Sequence, residues 1–441
     1  MVRAQRIICG FWVAVALVSP AYGASVALPS EAPYKHLGVE TCSSSVCHGS
    51  VTPSRTYDVQ LNEFVTWSHQ DAHSRAFSVL SSPKSRAIAS KLGLPNAVTA
   101  KVCLDCHADN ISAEKRGPKF TLSEGVSCEA CHGGAERWLQ THTSRKVTYR
   151  ENITQGMYPT ADLPERAHLC LSCHYGTADK FATHRIMAAG HPRLSFELET
   201  FLSLQPPHYR VDDNYRRRKP SYSRTQMWAY GQLAAAAHEL DALEGPRITN
   251  SSAFPELALF NCYGCHMSSM KRTDWGHRLF GVASEPGTVP VSQGSLCMAW
   301  IISRQLDPAA APGLLKTSQS LLAASASGRQ QIAAESRQVD AIVERLLDKA
   351  AGRSWSHTDE RQLLNTLISV GSNGEYRDYI DAEQAVMGID GLLIELNGAA
   401  RYRSNLDELY ALVQNDEAYD PEKFVVALRK LQSAVDKGPR L

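Results

Sequence analysis

Four times in this chain, two cysteines three positions apart are followed at once by a histidine. The copies are Cys103-Leu104-Asp105-Cys106-His107, Cys128-Glu129-Ala130-Cys131-His132, Cys170-Leu171-Ser172-Cys173-His174 and Cys262-Tyr263-Gly264-Cys265-His266. A stretched copy, Cys42-Ser43-Ser44-Ser45-Val46-Cys47-His48, stands in front of them. Two thiols on one helical turn can each bond a vinyl group while the next imidazole reaches the iron, so the pattern is the attachment signature of a c-type haem. From this chain's Cys and His usage, on the order of 0.01 regular matches would arise by chance. Cys103/Cys106 with Cys128/Cys131 also has roughly the spacing of a four-cysteine zinc ribbon. Zinc, however, gives no reason for a histidine after the second cysteine every time. The prediction is five covalent haems c, held through Cys42, Cys47, Cys103, Cys106, Cys128, Cys131, Cys170, Cys173, Cys262 and Cys265. The stretched loop must bulge to keep both sulfurs near one porphyrin, and the alternative for Cys42 and Cys47 is a disulfide.

The chain has 441 residues, room for two or three domains. All five motifs lie between Cys42 and His266, which leaves about 45 residues per haem. That is thin cover for an ordinary apolar core, so the macrocycles themselves are expected to be the core, stacked and wrapped by short helices and loops. The fold class expected is mostly α: a multihaem cytochrome c region at 24–288 and a helical C-terminal region at 289–441. The formal charge is +1, which argues against nucleic acid as a partner. One basic run, Arg216-Arg217-Arg218-Lys219, reads as a solvated loop, with an acidic partner or haem propionates as the alternatives.

Residues 1–23 read as an export signal: Arg3 and Arg6, an apolar run from Ile7 to Val18, then small residues before a cleavage point after Gly23. The run is too short for a comfortable membrane span, and no later stretch has 18 apolar residues. An exported, periplasmic protein is therefore expected, in the compartment where haem is ligated to cytochromes c. Trp67 to Phe77 reads as a helix with His69 and His73 four apart on one face, and His184 and His191 are spaced to share a helix face. Pro206-Pro207-His208-Tyr209 reads as an irregular connection, and Met227 to Leu243 as a helix carrying His238. Beyond about residue 290 the motifs stop and apolar residues recur at helical spacing: Leu314, Leu315, Leu321 and Leu322, then Ile332, Val339, Ile342, Val343, Leu346 and Leu347. Asp420-Pro421 is a helix start. Five or six helices are expected here, as a cap over the haem region. Cys297, in an apolar run, reads as a buried free thiol.

Each motif histidine supplies one axial ligand: His48, His107, His132, His174 and His266. Sixteen histidines in all leave enough to close every iron with a second imidazole. Methionine is the other closing ligand, but Met267 adjoins His266 and points elsewhere. Bis-histidine ligation suits low-potential electron transfer. The expected second ligands are His73, His142, His184, His191 and His208, with His36, His238, His277 and His357 left at the surface or outside the iron shell.

The residues from Trp67 to Ala76, from Val102 to Asp109, Gly125-Val126-Ser127 with the motif up to Gly133, His142 ten residues on, and Leu169 to Gly176 together resemble the cytochrome c-554 family of multihaem electron carriers. The likeness covers roughly residues 38 to 180. It implies a mostly helical fold with haems in stacked and perpendicular pairs, and distal roles for His73 and His142 toward haems bound elsewhere in the chain. The stretched first motif, the fifth motif and the long tail depart from the family pattern. The main functional expectation is an exported carrier passing electrons between unidentified redox partner proteins. Its alternatives are an enzyme acting on a small nitrogen or sulfur oxyanion at one five-coordinate haem, and a subunit of a larger redox assembly. No C-x-x-C-K motif accompanies the others, which lowers the enzyme reading.

Overall fold

The structure, a computed structural model, describes residues 26–57, 59–250, 255–266, 278–279, 282–283 and 288–438. The expected export signal and His277 lie outside the described residues. The fold is mostly helical, and the one strand pair among the described residues is the two-residue hairpin Arg278–Leu279 with Val282–Ala283. No helix among the described residues is long and apolar enough to cross a membrane.

The longest helix of the middle of the chain, Arg224–Glu244, is the hub. Ser223 caps it by accepting from the Gln226 amide, alanines dominate its centre, and Gly245-Pro246 ends it. It is not amphipathic: Trp228, Ala229, Tyr230, Leu233, Ala236, Leu240 and Leu243 are all buried, because neighbours surround it. Those neighbours are Leu163–His174 and Leu198–Leu204 before it, and Gly294–Leu306, Arg329–Ala351 and Tyr379–Glu395 after it. At Gly231 a Cβ would come 2.6 Å from that of Leu198, so glycine sets this close approach. One continuous apolar core results, running from Leu163 to Leu431.

The C-terminal region holds seven α-helices rather than five or six: Gly294–Leu306, Ala311–Ala324, Arg329–Ala351, His357–Ser372, Tyr379–Glu395, Arg403–Leu412 and Pro421–Lys437. The short Arg403–Leu412 helix, buried only at Leu406 and Leu409, is the one a periodicity count misses most easily. Asp420 caps the last helix on the amides of Glu422 and Lys423, and Phe424, Leu428 and Leu431 face inward. Cys297 is buried and free.

Residues 26–160 are built otherwise, from short helices and turns. Among the described residues their apolar cluster is small, Leu80, Ala89, Ala97, Leu104 and Ala108, with Val39, Ile111, Trp138 and Tyr158 buried outside it.

Two sequence expectations change here. His69 and His73 do not share a helix: Glu63–Gln70 ends at Asp71, whose extended backbone and side chain, accepting from the His73 amide, start a new 3-10 turn at Ala72–Arg75. Nor do His184 and His191, because the helix His184–Ala188 stops before Gly190, which has φ +118°.

Candidate haem-binding site

The four regular motifs each close a short helix or end one: Lys101–His107, Cys128–His132, Leu163–His174 and Tyr263–His266. In the last, the His266 amide donates to the Cys262 carbonyl at 2.8 Å, the ordinary helical bond from the motif's last residue to its first. The stretched motif reaches the same closure with two extra residues. The His48 amide donates to the Cys42 carbonyl at 3.1 Å, while Ser44, Ser45 and Val46 loop out into solvent. Gly49 then passes so near the Ser43 carbonyl, 1.9 Å from an added Cβ, that no side chain fits. No disulfide joins Cys42 to Cys47.

The structure sets each motif histidine opposite one other histidine. His48 faces His142 with ring centres 6.2 Å apart, His73 faces His174 at 6.1 Å, and His107 faces His191 at 6.3 Å. His132 faces His208 at 6.3 Å, and His184 faces His266 at 6.2 Å. Two imidazoles bonded on opposite sides of one metal ion, each at about 2 Å, hold their ring centres roughly 6 Å apart once the ring radii are added. The donor set therefore fits an iron between each pair.

The hydrogen bonds fix which ring nitrogen is available. His107 Nδ1 bonds the Ala76 carbonyl at 3.0 Å, His142 Nδ1 the Leu139 carbonyl at 2.5 Å, and His191 Nδ1 the Pro192 carbonyl at 2.8 Å. A carbonyl can only accept, so Nδ1 carries the proton and Nε2 keeps its lone pair for a metal. Carboxylates do the same work at two more: Glu63 Oε2 accepts from His48 Nδ1 at 2.9 Å, and Asp71 Oδ1 from His73 Nδ1 at 2.8 Å. Asp71 also accepts from the His73 amide and from Gln205, bonds that hold its carboxyl well below the usual range despite burial. Burial pushes His132 down to about 3 and His174, beside His73, to about 4, so both rings are neutral.

Glu63 and Asp71 are the site residues that sequence reasoning missed. Asp71, two residues before His73 in an Asx-type turn, carried a readable local signal; Glu63 carried none. His73 is also held through its carbonyl, which accepts from the Val126 amide at 3.1 Å over Gly125, whose φ is +76°. Phe196 stacks on His174 with ring centres 4.7 Å apart.

Thiols of different motifs also meet. Cys42 lies beside Cys128, and Cys106 beside Cys173, close enough for each thiol to shift the ionisation of its neighbour. The first contact has a visible cause. Glu129, inside the third motif and buried, accepts from the amides of Leu37, Gly38 and Ala135 at 2.8, 2.7 and 2.7 Å, which fastens the approach to Cys42 against Cys128–His132.

The remaining described histidines lie outside the five pairs. Of the two places left open for His36, the structure shows the buried one: Nδ1 is 2.7 Å from Asp109 and Nε2 3.2 Å from the Pro29 carbonyl. His69 and His357 are exposed. His238 pairs with His168 at 5.6 Å and meets Tyr175 edge-on at 6.2 Å.

No curated protein and no solved structure matches the chain. Residues 41–133 match the family model of cytochrome c554 and c-prime. That segment contains the stretched motif and the next two, and ends one residue past His132. Over that segment the chain is similar to the cytochrome c554 and c-prime family, and the protein is a c-type cytochrome with an electron-transfer or redox role.

Proposed function

We propose that this protein is exported to the periplasm and carries electrons between redox partner proteins through five covalently bound haems c. The observation that carries this reading is the set of five histidine pairs, one at every cysteine motif, all at 6.1–6.3 Å. Haem c supplies a reversible one-electron couple. The cysteine pairs Cys42/Cys47, Cys103/Cys106, Cys128/Cys131, Cys170/Cys173 and Cys262/Cys265 fix it by thioethers. His48, His107, His132, His174 and His266 would hold one iron each, together with His142, His191, His208, His73 and His184 in that order. The carbonyls and carboxylates on Nδ1 orient the rings. Glu63 and Asp71 also make His48 and His73 stronger donors, which favours the oxidised metal.

The thiol contacts between motifs one and three, and between motifs two and four, support close packing of those sites, as fast electron passage needs. With both axial positions matched at every motif, the arrangement favours a carrier over an enzyme with an open iron. The N-terminal leader supports export, and the region 289–441 serves as the helical support of 24–288.

The test is the purified exported protein. Its mass should exceed the leader-less chain by five haems, and its ferric spectrum should be low-spin without binding carbon monoxide, cyanide or nitrite. Replacing His73 or His191 with alanine should turn one iron high-spin. A bare peptide mass sinks the haem reading; a high-spin, ligand-binding fraction in the unaltered protein sinks the carrier.

A further inference from the structure

The basic run at 216–219 divides in the structure. Arg216, Arg217 and Arg218 are exposed at the end of the helix Asp213–Arg218, which Asp212 caps on the Tyr215 amide. At Lys219 the backbone changes from helical to extended, φ −140° and ψ 151°, and the side chain turns inward. Its Nζ stands 4.9 Å from the centre of the Tyr149 ring and 5.5 Å from that of Tyr215. Tyr215 stacks on Tyr209 at 5.7 Å, Tyr209 meets His208 edge-on at 5.6 Å, and His208 faces His132. A continuous line of rings thus joins this ammonium to the third histidine pair.

Lys219 makes no ion pair among the described residues. Its charged neighbours are cationic: Arg218 and Arg166. Arg166, on the helix that ends in the fourth motif, lies beside the Tyr215 hydroxyl and favours its ionised form, and it donates through Nε to the Thr160 carbonyl at 2.7 Å. The acid next to this group, Asp162, which acts on Tyr149, is engaged by Arg150 at 3.1 Å. Tyrosine faces attract a cation but do not neutralise it. A cation drawn out of water needs an anion beside it. Burial and the two guanidiniums pull Lys219 down to about 8, the sign of an ammonium still short of its counter-charge.

We propose that Lys219, backed by Arg166, seats a propionate carboxylate of the haem held by Cys128, Cys131 and His132. The seat has two consequences. It keeps that carboxylate ionised at neutral pH, and it places a positive charge beside the third haem, which disfavours the added positive charge of the oxidised iron and raises its potential. The proposal rests on the haem reading of the third motif, and the two fail separately. Loss of that reading appears as a missing haem in the mass of the unaltered protein; loss of the proposal appears only in fully loaded variants.

The experiment is a spectroelectrochemical titration, at several pH values, of haem-loaded full-length protein and of Lys219→Met, Lys219→Arg and Arg166→Gln. In Lys219→Met one midpoint should move to lower potential and gain pH dependence near neutrality while the others stay. Lys219→Arg should restore it, and Arg166→Gln should shift it the same way by less. Ring-methyl NMR identifies the haem that moves, and movement confined to the haem on Cys170 and Cys173 overturns the assignment. Unchanged midpoints in a fully loaded Lys219→Met overturn the proposal. So does a wild-type midpoint that follows the concentration of added inorganic phosphate, since a free anion would then occupy the seat. Should Lys219→Met fail to accumulate, Lys219→Arg decides: its propionate bands in the redox infrared difference spectrum must shift, and unshifted bands overturn the proposal.

Discussion

Residues 26–160 and residues 224–431 hold their folds by opposite means. The second stretch buries leucine, isoleucine and valine around one central helix, with Leu233, Leu240, Ile301, Val343 and Leu367 all fully inaccessible. The first buries a cluster of two leucines and three alanines, and relies on polar ties: Glu129 on three amides, Asp109 on His36 and Ser127, Asp71 on His73. Ordering a residue's backbone costs roughly 1–2 kcal/mol. Among the described residues of this stretch the buried apolar side chains are twelve, five of them alanine, and they are spread thinly over its length, which leaves the proposed haems as the remaining filling of the interior. The five histidine pairs mark where these would lie. The fourth motif straddles both systems, since its helix Leu163–His174 puts Leu163, Ala167 and Leu171 into the large core.

The sharpest way to break this contrast is to block haem attachment by replacing the motif cysteines with serine. Limited proteolysis with mass mapping should then digest residues 26–160 and leave a protected fragment from about residue 163 onward. Equal resistance of both stretches would end the comparison. Next in size, Leu240→Ala empties a fully buried position and should cost roughly 2–5 kcal/mol in denaturant unfolding, with the Soret band unchanged. A Soret change would show that the haem region leans on the central helix more than its packing suggests.

Glu129→Gln should destabilise the haem region by about 1–3 kcal/mol, because one carbonyl oxygen replaces two carboxylate oxygens under three buried amides. Hydrogen exchange at Leu37 and Gly38 should rise while the central helix stays protected. The smallest effect is a pH slope. Burial raises Glu239 to about 7, against the hydroxyls of Ser292 and Ser295. Between about 4.5 and 7 the folded state binds more protons than the unfolded chain, so stability is full below that window and falls as pH rises through it. Glu239→Gln should flatten this slope in the helical region, which urea midpoints at several pH values will show.

The covalent part of the site was legible in the sequence because it is local. Thioether attachment needs two thiols and an imidazole within one turn, and no fold is required to see the pattern. Helices of the C-terminal region were legible for a similar reason: apolar spacing and Asp420-Pro421 are short-range signals. Helix ends were less so. His69 and His73 looked equivalent by spacing, and only the Asp71 turn, which breaks the helix between them, sends one to solvent and the other to His174.

The chemistry at each motif and the helical character of the chain are set by neighbours within a few residues, so both could be read before any fold was known. Tertiary structure alone decided which ring faces which motif. The pairs His48 with His142, His107 with His191 and His132 with His208 run forward in the chain, while His174 takes its partner from upstream at His73 and His266 from His184. Such pairings span dozens of residues in either direction, where spacing carries no information. They follow instead from how Glu129, the Val126 amide and the core beneath Leu171 bring distant turns together.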